Sequence, residues 1–290
     1  GRTHRMNLHE SAAEQAFRAE VKAWMAEHLS GEFEPLRGVN GPSAPGFDAA
    51  LAKQWEQCLA AGGWIGIGWP GEASPRALPL AQQVIFHEEY VRAGGPGRIG
   101  HIGETLLAPT LIAHGTAEQQ QRFLPGIRAG TEYWAQGYSE PESGSDLASL
   151  RLSAVRDGDD YIINGAKIWT SGAHWANWIF CLARTSKEAR KQDGISMICV
   201  PMDLPGVTVH PIPLIDGSAE LNRVEFDNVR VSAEFRIGDE GKGWHYANVL
   251  LKYERLSYAH IGAKRRDIER LRARLAQWRE CGEKAALVHK

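Results

Sequence analysis

Gln136-Gly137-Tyr138-Ser139-Glu140-Pro141-Glu142-Ser143-Gly144-Ser145-Asp146, answered further on by Lys167-Ile168-Trp169-Thr170-Ser171-Gly172, is the stretch on which the fold turns. Its first half is a loop by composition: small hydroxyl residues, a proline and two glycines leave backbone N–H groups free to face a ligand. Its second half sets an indole and two hydroxyls at the end of a strand. Together they suit a planar, polar, phosphate-bearing cofactor. Between the halves the pattern has period two, with Leu150, Leu152 and Ala154 alternating against Arg151, Ser153 and Val155. Asp157-Gly158-Asp159-Asp160 reads as a turn, residues 161–163 resume the strand, and Asn164-Gly165 carries a strong hairpin signal.

Working outward, short strands are expected at 178–183, 196–200, 207–212, 223–226 and 229–231. So many short strands in close succession indicate a small barrel or sandwich. Upstream the period is helical. Ala13, Phe17, Val21, Trp24 and Met25 give one apolar face over residues 11–29, with Ser11 and Glu14 in capping-box spacing. Further helices are expected at 47–61, 80–93 and 103–114, where Pro109 marks a kink or a late start, and from Thr116 through Gln119 and Phe123. Downstream of Gly241 the helical period returns, and one long helix is expected over residues 243–277.

The chain has 290 residues, 43% hydrophobic and 23% charged, with a formal net charge of -2. That is ample for more than one core, and it argues against nucleic acid or an anionic membrane as the principal partner. No apolar run approaches the roughly 18 residues that span a bilayer. Cys58, Cys181, Cys199 and Cys281 are widely spaced, which suggests reduced thiols and a cytoplasmic setting. The histidines show no metal-ligand spacing, and no Walker A, dinucleotide-fingerprint or nucleophile-elbow pattern is present.

The candidate for chemistry is Glu254. Ala247, Leu251, Tyr258 and Ile261 lie seven before, three before, four after and seven after it, placing a carboxylate inside an apolar stripe. A desolvated carboxylate is a competent proton acceptor near neutrality. The same residue also reads as an ordinary helix-surface glutamate, paired with Arg255 or with a group elsewhere.

The quoted stretch, with Gly144-Ser145-Asp146-Leu147-Ala148, Asn164-Gly165, Phe226-Asp227-Asn228-Val229-Arg230-Val231 and Gly238-Asp239-Glu240-Gly241-Lys242-Gly243-Trp244, closely resembles the acyl-CoA dehydrogenase family. The resemblance implies an α+β multidomain chain. An N-terminal helical domain is expected at 7–130, a middle β-barrel at 131–238, and the start of an incomplete C-terminal helical bundle at 239–290. It implies an FAD enzyme that converts an acyl-CoA thioester to the trans-enoyl product, with Glu254 as base. Gln136, Gly137, Tyr138, Ser139, Gly144, Ser145, Trp169, Thr170 and Ser171 would bind the cofactor; Ser145 and Arg255 would touch the substrate.

The implied partners are an electron-transfer flavoprotein or similar acceptor and further subunits, as a homo- or hetero-oligomer built as a dimer of dimers. Bulky thioesters, including steroid side-chain CoAs, are within the resemblance. Glu142 and Lys252 depart from the family pattern, where a glycine and an acidic residue are common. Two alternatives stay open: other flavin chemistry on the same fold, of the nitroalkane-oxidase or monooxygenase kind, and a non-catalytic subunit that completes a partner.

Overall fold

The computed structural model describes residues 10–257 and 261–280. They form two compact units. Within these residues, one draws on 10–40, 79–96 and 261–280, the other on 41–78 and 97–257.

In the first unit, α1 (Ala12–His28) opens with the capping box the sequence announces. Ser11 Oγ accepts from Glu14 N at 3.2 Å, and Glu14 Oε2 accepts from Ser11 N at 2.6 Å. Phe17, Val21 and Met25 bury the apolar face. Arg18 ties α1 to α3 (Leu80–Arg92) through Glu88 and the buried Glu89. α7 (Ile261–Glu280) packs against α3 in the same unit.

The second unit holds everything else. α2 (Ala49–Ala61) is capped by Asp48, whose carboxylate accepts from Ala50 N and Leu51 N. The helix expected over 103–114 has two parts: a π-helical turn over Ile102–Leu107, then α4 (Ala108–His114) with Pro109 in its first turn. A proline there gives up no hydrogen bond the helix needs, and the widened turn before it makes room for its ring. α5 (Ala117–Arg128) starts with a second capping box, Thr116 with Gln119.

The strands are β1 (Trp134–Gly137), β2 (Ser153–Asp157), β3 (Asp160–Ser171), β4 (Trp178–Arg184), β5 (Ile195–Pro201), β6 (Val207–Pro211), β7 (Leu221–Ser232) and β8 (Arg236–Ile237). They form one eight-stranded sheet in the order β6-β7-β3-β2-β4-β5-β8, with β1 laid parallel on β4. The sheet is folded over on itself. Tyr161, Ile163, Val224, Phe226 and Val231 from one part share a core with Ile179, Cys181, Ala183, Ile198 and Val200 from another. The opposite faces of β4 and β5, with Phe180, Leu182, Met197 and Cys199, meet Leu106, Leu111, Phe123 and Leu250 from the helices. β4 and β5 are therefore buried on both sides, which explains their unbroken apolar runs.

Three expectations are corrected. Asn164-Gly165 is not a hairpin turn but lies inside β3, opposite a bulge on β7; the hairpin turn joining β2 and β3 is at Asp157–Asp160. The bulge puts Asn228 at φ 50°, with Asn164 Oδ1 accepting from Asn228 N at 2.8 Å. Gly165 is at φ 135°, where a Cβ would come within 3.0 Å of Leu152. Residues suited to left-handed backbone serve a bulge as readily as a turn. Likewise 223–226 and 229–231 are one strand, β7, carried across that bulge. The single helix expected over 243–277 is two, α6 (Gly243–Ser257) and α7, with 258–260 between them outside the described residues. α6 buries Tyr246, Ala247 and Leu250, whereas Ile268, Leu271 and Trp278 of α7 stand exposed, and periodicity alone does not reveal the break between them.

Candidate active site

The site is built on β1 and α6. Along β1 the side chains alternate: Ala135 joins the core inside the folded sheet, while Trp134 and Tyr138 join the core facing the helices. Gln136 shares their face. α6 starts hard against β5, since a Cβ on Gly243 would lie 2.5 Å from the Ser196 carbonyl carbon. It buries Tyr246, Ala247 and Leu250 in that same core, with Leu251 packed on its edge. One turn on from Leu250 comes Glu254, half-buried, with Gln136 Nε2 at 3.4 Å from its Oε2. That is a long hydrogen bond.

Tyr138 is 7% exposed, and its hydroxyl has no hydrogen-bond partner among the described residues. Leaving a phenol so costs about 1–3 kcal/mol. Burial, and after it the nearby charge of Glu254, pushes the Tyr138 phenol well above its ordinary range.

Behind this corner the loop is braced by a buried ion pair. Lys167 Nζ donates to Glu140 Oε1 at 2.9 Å and to the Tyr138 carbonyl at 3.0 Å. The Glu140 carboxylate also accepts from Arg151 N at 2.6 Å and Leu152 N at 2.8 Å. Glu140 and Ser143 exchange both backbone hydrogen bonds, closing the turn between them. Burial lowers the Lys167 ammonium from its usual range, and the charge of Glu140 opposes that. Neither Glu140 nor Lys167 was singled out from the sequence as a functional residue. The signal was there: Lys167 sits at an inward position of β3, in line with Tyr161 and Ile163.

The second half of the stretch is a bulge. β3 runs from Lys167 to Thr170 while β7 runs only from Val224 to Asn222, so β3 holds one residue more. Ile168 N–H is thereby freed from the ladder and donates to the Ser139 carbonyl at 2.9 Å, stitching strand to loop. Trp169 takes φ 60°, rare for a bulky residue, and its side chain stands 56% exposed. Thr170 is buried with its hydroxyl unpartnered among the described residues, while its carbonyl is held by Asn222 Nδ2 at 2.9 Å. Ser171 is half-buried at the strand end.

The structure thus brings Gln136 to Glu254 with Tyr138 in the core beside them, and separately joins Tyr138 to Lys167 and Ser139 to Ile168, the residues just before Trp169. Gly144 and Ser145 lie on the exposed rim of the loop, where a Cβ on Gly144 would meet nothing within 4 Å. Gly137 has a packing reason to be glycine, because a Cβ would sit 2.6 Å from Cys181 Sγ. Arg255 lies on α6, and its side chain is outside the described residues.

Residues 11–131 match the family model for the acyl-CoA dehydrogenase N-terminal domain, and residues 135–229 that for its middle domain. The acyl-CoA dehydrogenase IpdE1 of Mycobacterium tuberculosis is 49% identical over 241 residues, covering 83% of this chain and 63% of its own length. The protein of the same name from Mycolicibacterium smegmatis is 46% identical, with 64% of its length covered. The chain therefore spans a little under two thirds of these relatives. Among solved structures, the Tcur3481–Tcur3483 steroid ACAD superposes with a TM-score of 0.81 at 36% identity, covering 96% of this chain and 70% of that one. The ChsE4–ChsE5 complex from Mycobacterium tuberculosis superposes with a TM-score of 0.72 at 32% identity, covering 86% of this chain and 61% of that one. By its sequence and its fold, the chain belongs to the acyl-CoA dehydrogenase family.

Proposed function

We infer that this chain carries the active site of an FAD-dependent dehydrogenase that oxidises the Cα–Cβ bond of an acyl-CoA thioester to the trans-2-enoyl product. The observation that carries the reading is Glu254: a half-buried carboxylate delivered by α6 to Gln136, where the family's loop begins. In this reading Glu254 takes the α-hydrogen as a proton. The Cα–H bond breaks, an O–H bond forms on the carboxylate, and the electron pair is delocalised into the thioester as an enolate. The apolar core containing Tyr138 and Leu250, with Leu251 on its edge, flanks the half-buried carboxylate on α6.

The residues present fit a flavin dinucleotide. Trp169 is an exposed planar surface held in a fixed backbone conformation, and beside it the Thr170 hydroxyl is buried without a partner. Ser139, Gly144 and Ser145 line a loop braced from behind by Lys167 and Glu140. The chemistry a bound FAD supplies is acceptance of the β-hydrogen as hydride. Steroid-type or similarly bulky acyl-CoAs are the proposed substrates, since a steroid ACAD is among the similar structures. An electron-transfer flavoprotein is the proposed acceptor. A hetero-oligomeric assembly is proposed on the likeness to the ChsE4–ChsE5 complex. Among the described residues no helix is long and apolar enough to cross a membrane, and a cytoplasmic location is part of the same proposal.

The test is anaerobic titration of the FAD-reconstituted protein with a panel of acyl-CoAs, steroid side-chain thioesters included, while flavin absorbance is followed. Bleaching by at least one thioester is expected, with the rate reduced about 10²–10⁴-fold in Glu254→Gln. Bleaching that persists at the parent rate in that variant would sink the assignment of the base.

A further inference from the structure

The face that carries Trp134, Gln136 and Tyr138 holds two neutral hydrogen-bond donors, one that reaches Glu254 of α6 and one enclosed in the core that α6 packs on. Gln136 reaches Glu254 directly, Nε2 to Oε2 at 3.4 Å. Tyr138 lies two residues further along the same face, its phenol enclosed and without a partner among the described residues. For Tyr138 packing alone gives no reason for the hydroxyl, because the surrounding core is apolar and a phenylalanine would fill the same volume. A donor kept in such a place at a cost in stability is spent on something else.

The kind of donor is informative. A lysine or arginine beside a carboxylate stabilises its charge strongly and weakens it as a base. An amide and a phenol orient it with far less loss of basicity. The charge of Glu254 is also felt at the Tyr138 phenol, which stays protonated and remains a donor.

We propose that Gln136 and Tyr138 are positioning residues for the Glu254 carboxylate, Gln136 through its amide and Tyr138 through its phenol by way of one water. One carboxylate oxygen is then held, and the lone pair that takes the α-hydrogen is fixed in direction. Gln136 thereby acts on the proton-transfer step and not only on the cofactor. The inference rests on Glu254 being the base.

The test isolates that step. An acyl-CoA whose β-carbon is replaced by sulfur has no β-hydrogen to lose, so base action appears only as exchange of its α-hydrogens for deuterium. Exchange in D2O is followed by proton NMR on the FAD-loaded protein, with the dissociation constant of the probe measured in parallel. Glu254→Gln is expected to abolish exchange. Gln136→Met, which keeps chain length and volume, is expected to slow it about tenfold, the equivalent of one lost hydrogen bond, with the dissociation constant within about twofold of the parent. Tyr138→Phe removes a single oxygen and is expected to slow exchange about threefold or more, again without loss of binding. It also carries the test if Gln136→Met does not fold.

Exchange that survives Glu254→Gln overturns the base assignment and the positioning role with it. Exchange lost in Glu254→Gln but running at the parent rate in both Gln136→Met and Tyr138→Phe overturns the positioning role alone. A loss of probe binding equal to the loss of exchange assigns both residues to binding and likewise overturns it.

Discussion

The β3–β7 pair contains two bulges, and they are built on opposite principles. At Asn228 the extra residue adopts left-handed backbone, and its cost is offset on the spot: Asn164 Oδ1 accepts from Asn228 N at 2.8 Å, and Asn164 Nδ2 donates to Asn228 Oδ1 at 3.3 Å. Asparagine is among the few residues that enter this region cheaply. At Trp169 the extra residue is one of the least suited to φ 60°, its side chain is left exposed, and the neighbouring Thr170 hydroxyl is buried without a partner among the described residues. The first bulge is locally complete. The second spends stability without local return, the pattern expected where a ligand supplies the missing contacts. Two structural irregularities in one ladder are thus told apart by whether their polar groups are satisfied.

The largest effect is expected where the second bulge is anchored. Lys167→Met removes the cation from a fully buried pair and leaves Glu140 with only two backbone donors. Unfolding free energy should fall by about 3–5 kcal/mol, read from urea or thermal melts. A loss below about 1 kcal/mol would show that the brace is dispensable. Next comes Asn228→Ala, which keeps the backbone N–H bond to Asn164 Oδ1 but loses the acceptor for Asn164 Nδ2 and forces alanine to positive φ. A loss of about 1–2 kcal/mol is expected, with flavin affinity unchanged. Asn228→Gly should recover most of that loss, since glycine takes the same backbone without strain.

Trp169→Gly inverts the sign. Relief of backbone strain should raise the stability of the cofactor-free protein by about 1 kcal/mol. Loss of the indole surface should weaken flavin binding up to about tenfold, measured by fluorescence titration. Destabilisation of the cofactor-free protein by Trp169→Gly would mean that the indole is part of the fold and the two bulges are alike.

The contrast also shows what could be read from the chain and what could not. Local chemistry was legible. Ser11 with Glu14 and Thr116 with Gln119 are capping boxes three residues wide, and both form. The Asp157–Asp160 turn needs only its own residues, with Gly158 at φ 60°. Asn164-Gly165 was misread because a preference for left-handed backbone does not say whether a turn or a bulge will use it. Of the apolar stripe expected around Glu254, Ala247 and Leu251 lie on α6 with it, Ile261 opens α7, and Tyr258 lies outside the described residues. The meeting of Glu254 with Gln136, 118 residues away, was not legible, since only the packing of α6 across the sheet makes it. The Lys167–Glu140 brace was hidden for the same reason: two charged residues 27 apart look solvated until the fold buries both.

The smallest effect is the sharpest. Thr170→Val replaces the hydroxyl with a methyl of nearly the same shape, so packing is kept and only the unpartnered oxygen is removed. If the hydroxyl waits for a ligand, the cofactor-free protein gains, by a few tenths to about 1 kcal/mol, because an unsatisfied buried polar group is gone. The loaded protein loses, and flavin affinity should fall about tenfold for the one hydrogen bond no longer made. The two signs must be opposite. A hydroxyl that served the fold would make Thr170→Val destabilising with or without cofactor. One that served nothing would leave affinity untouched. Thermal melts with and without FAD, compared with the same pair of melts for Asn228→Gly, where both shifts should be near zero, therefore separate a bulge that is finished from one that awaits its ligand.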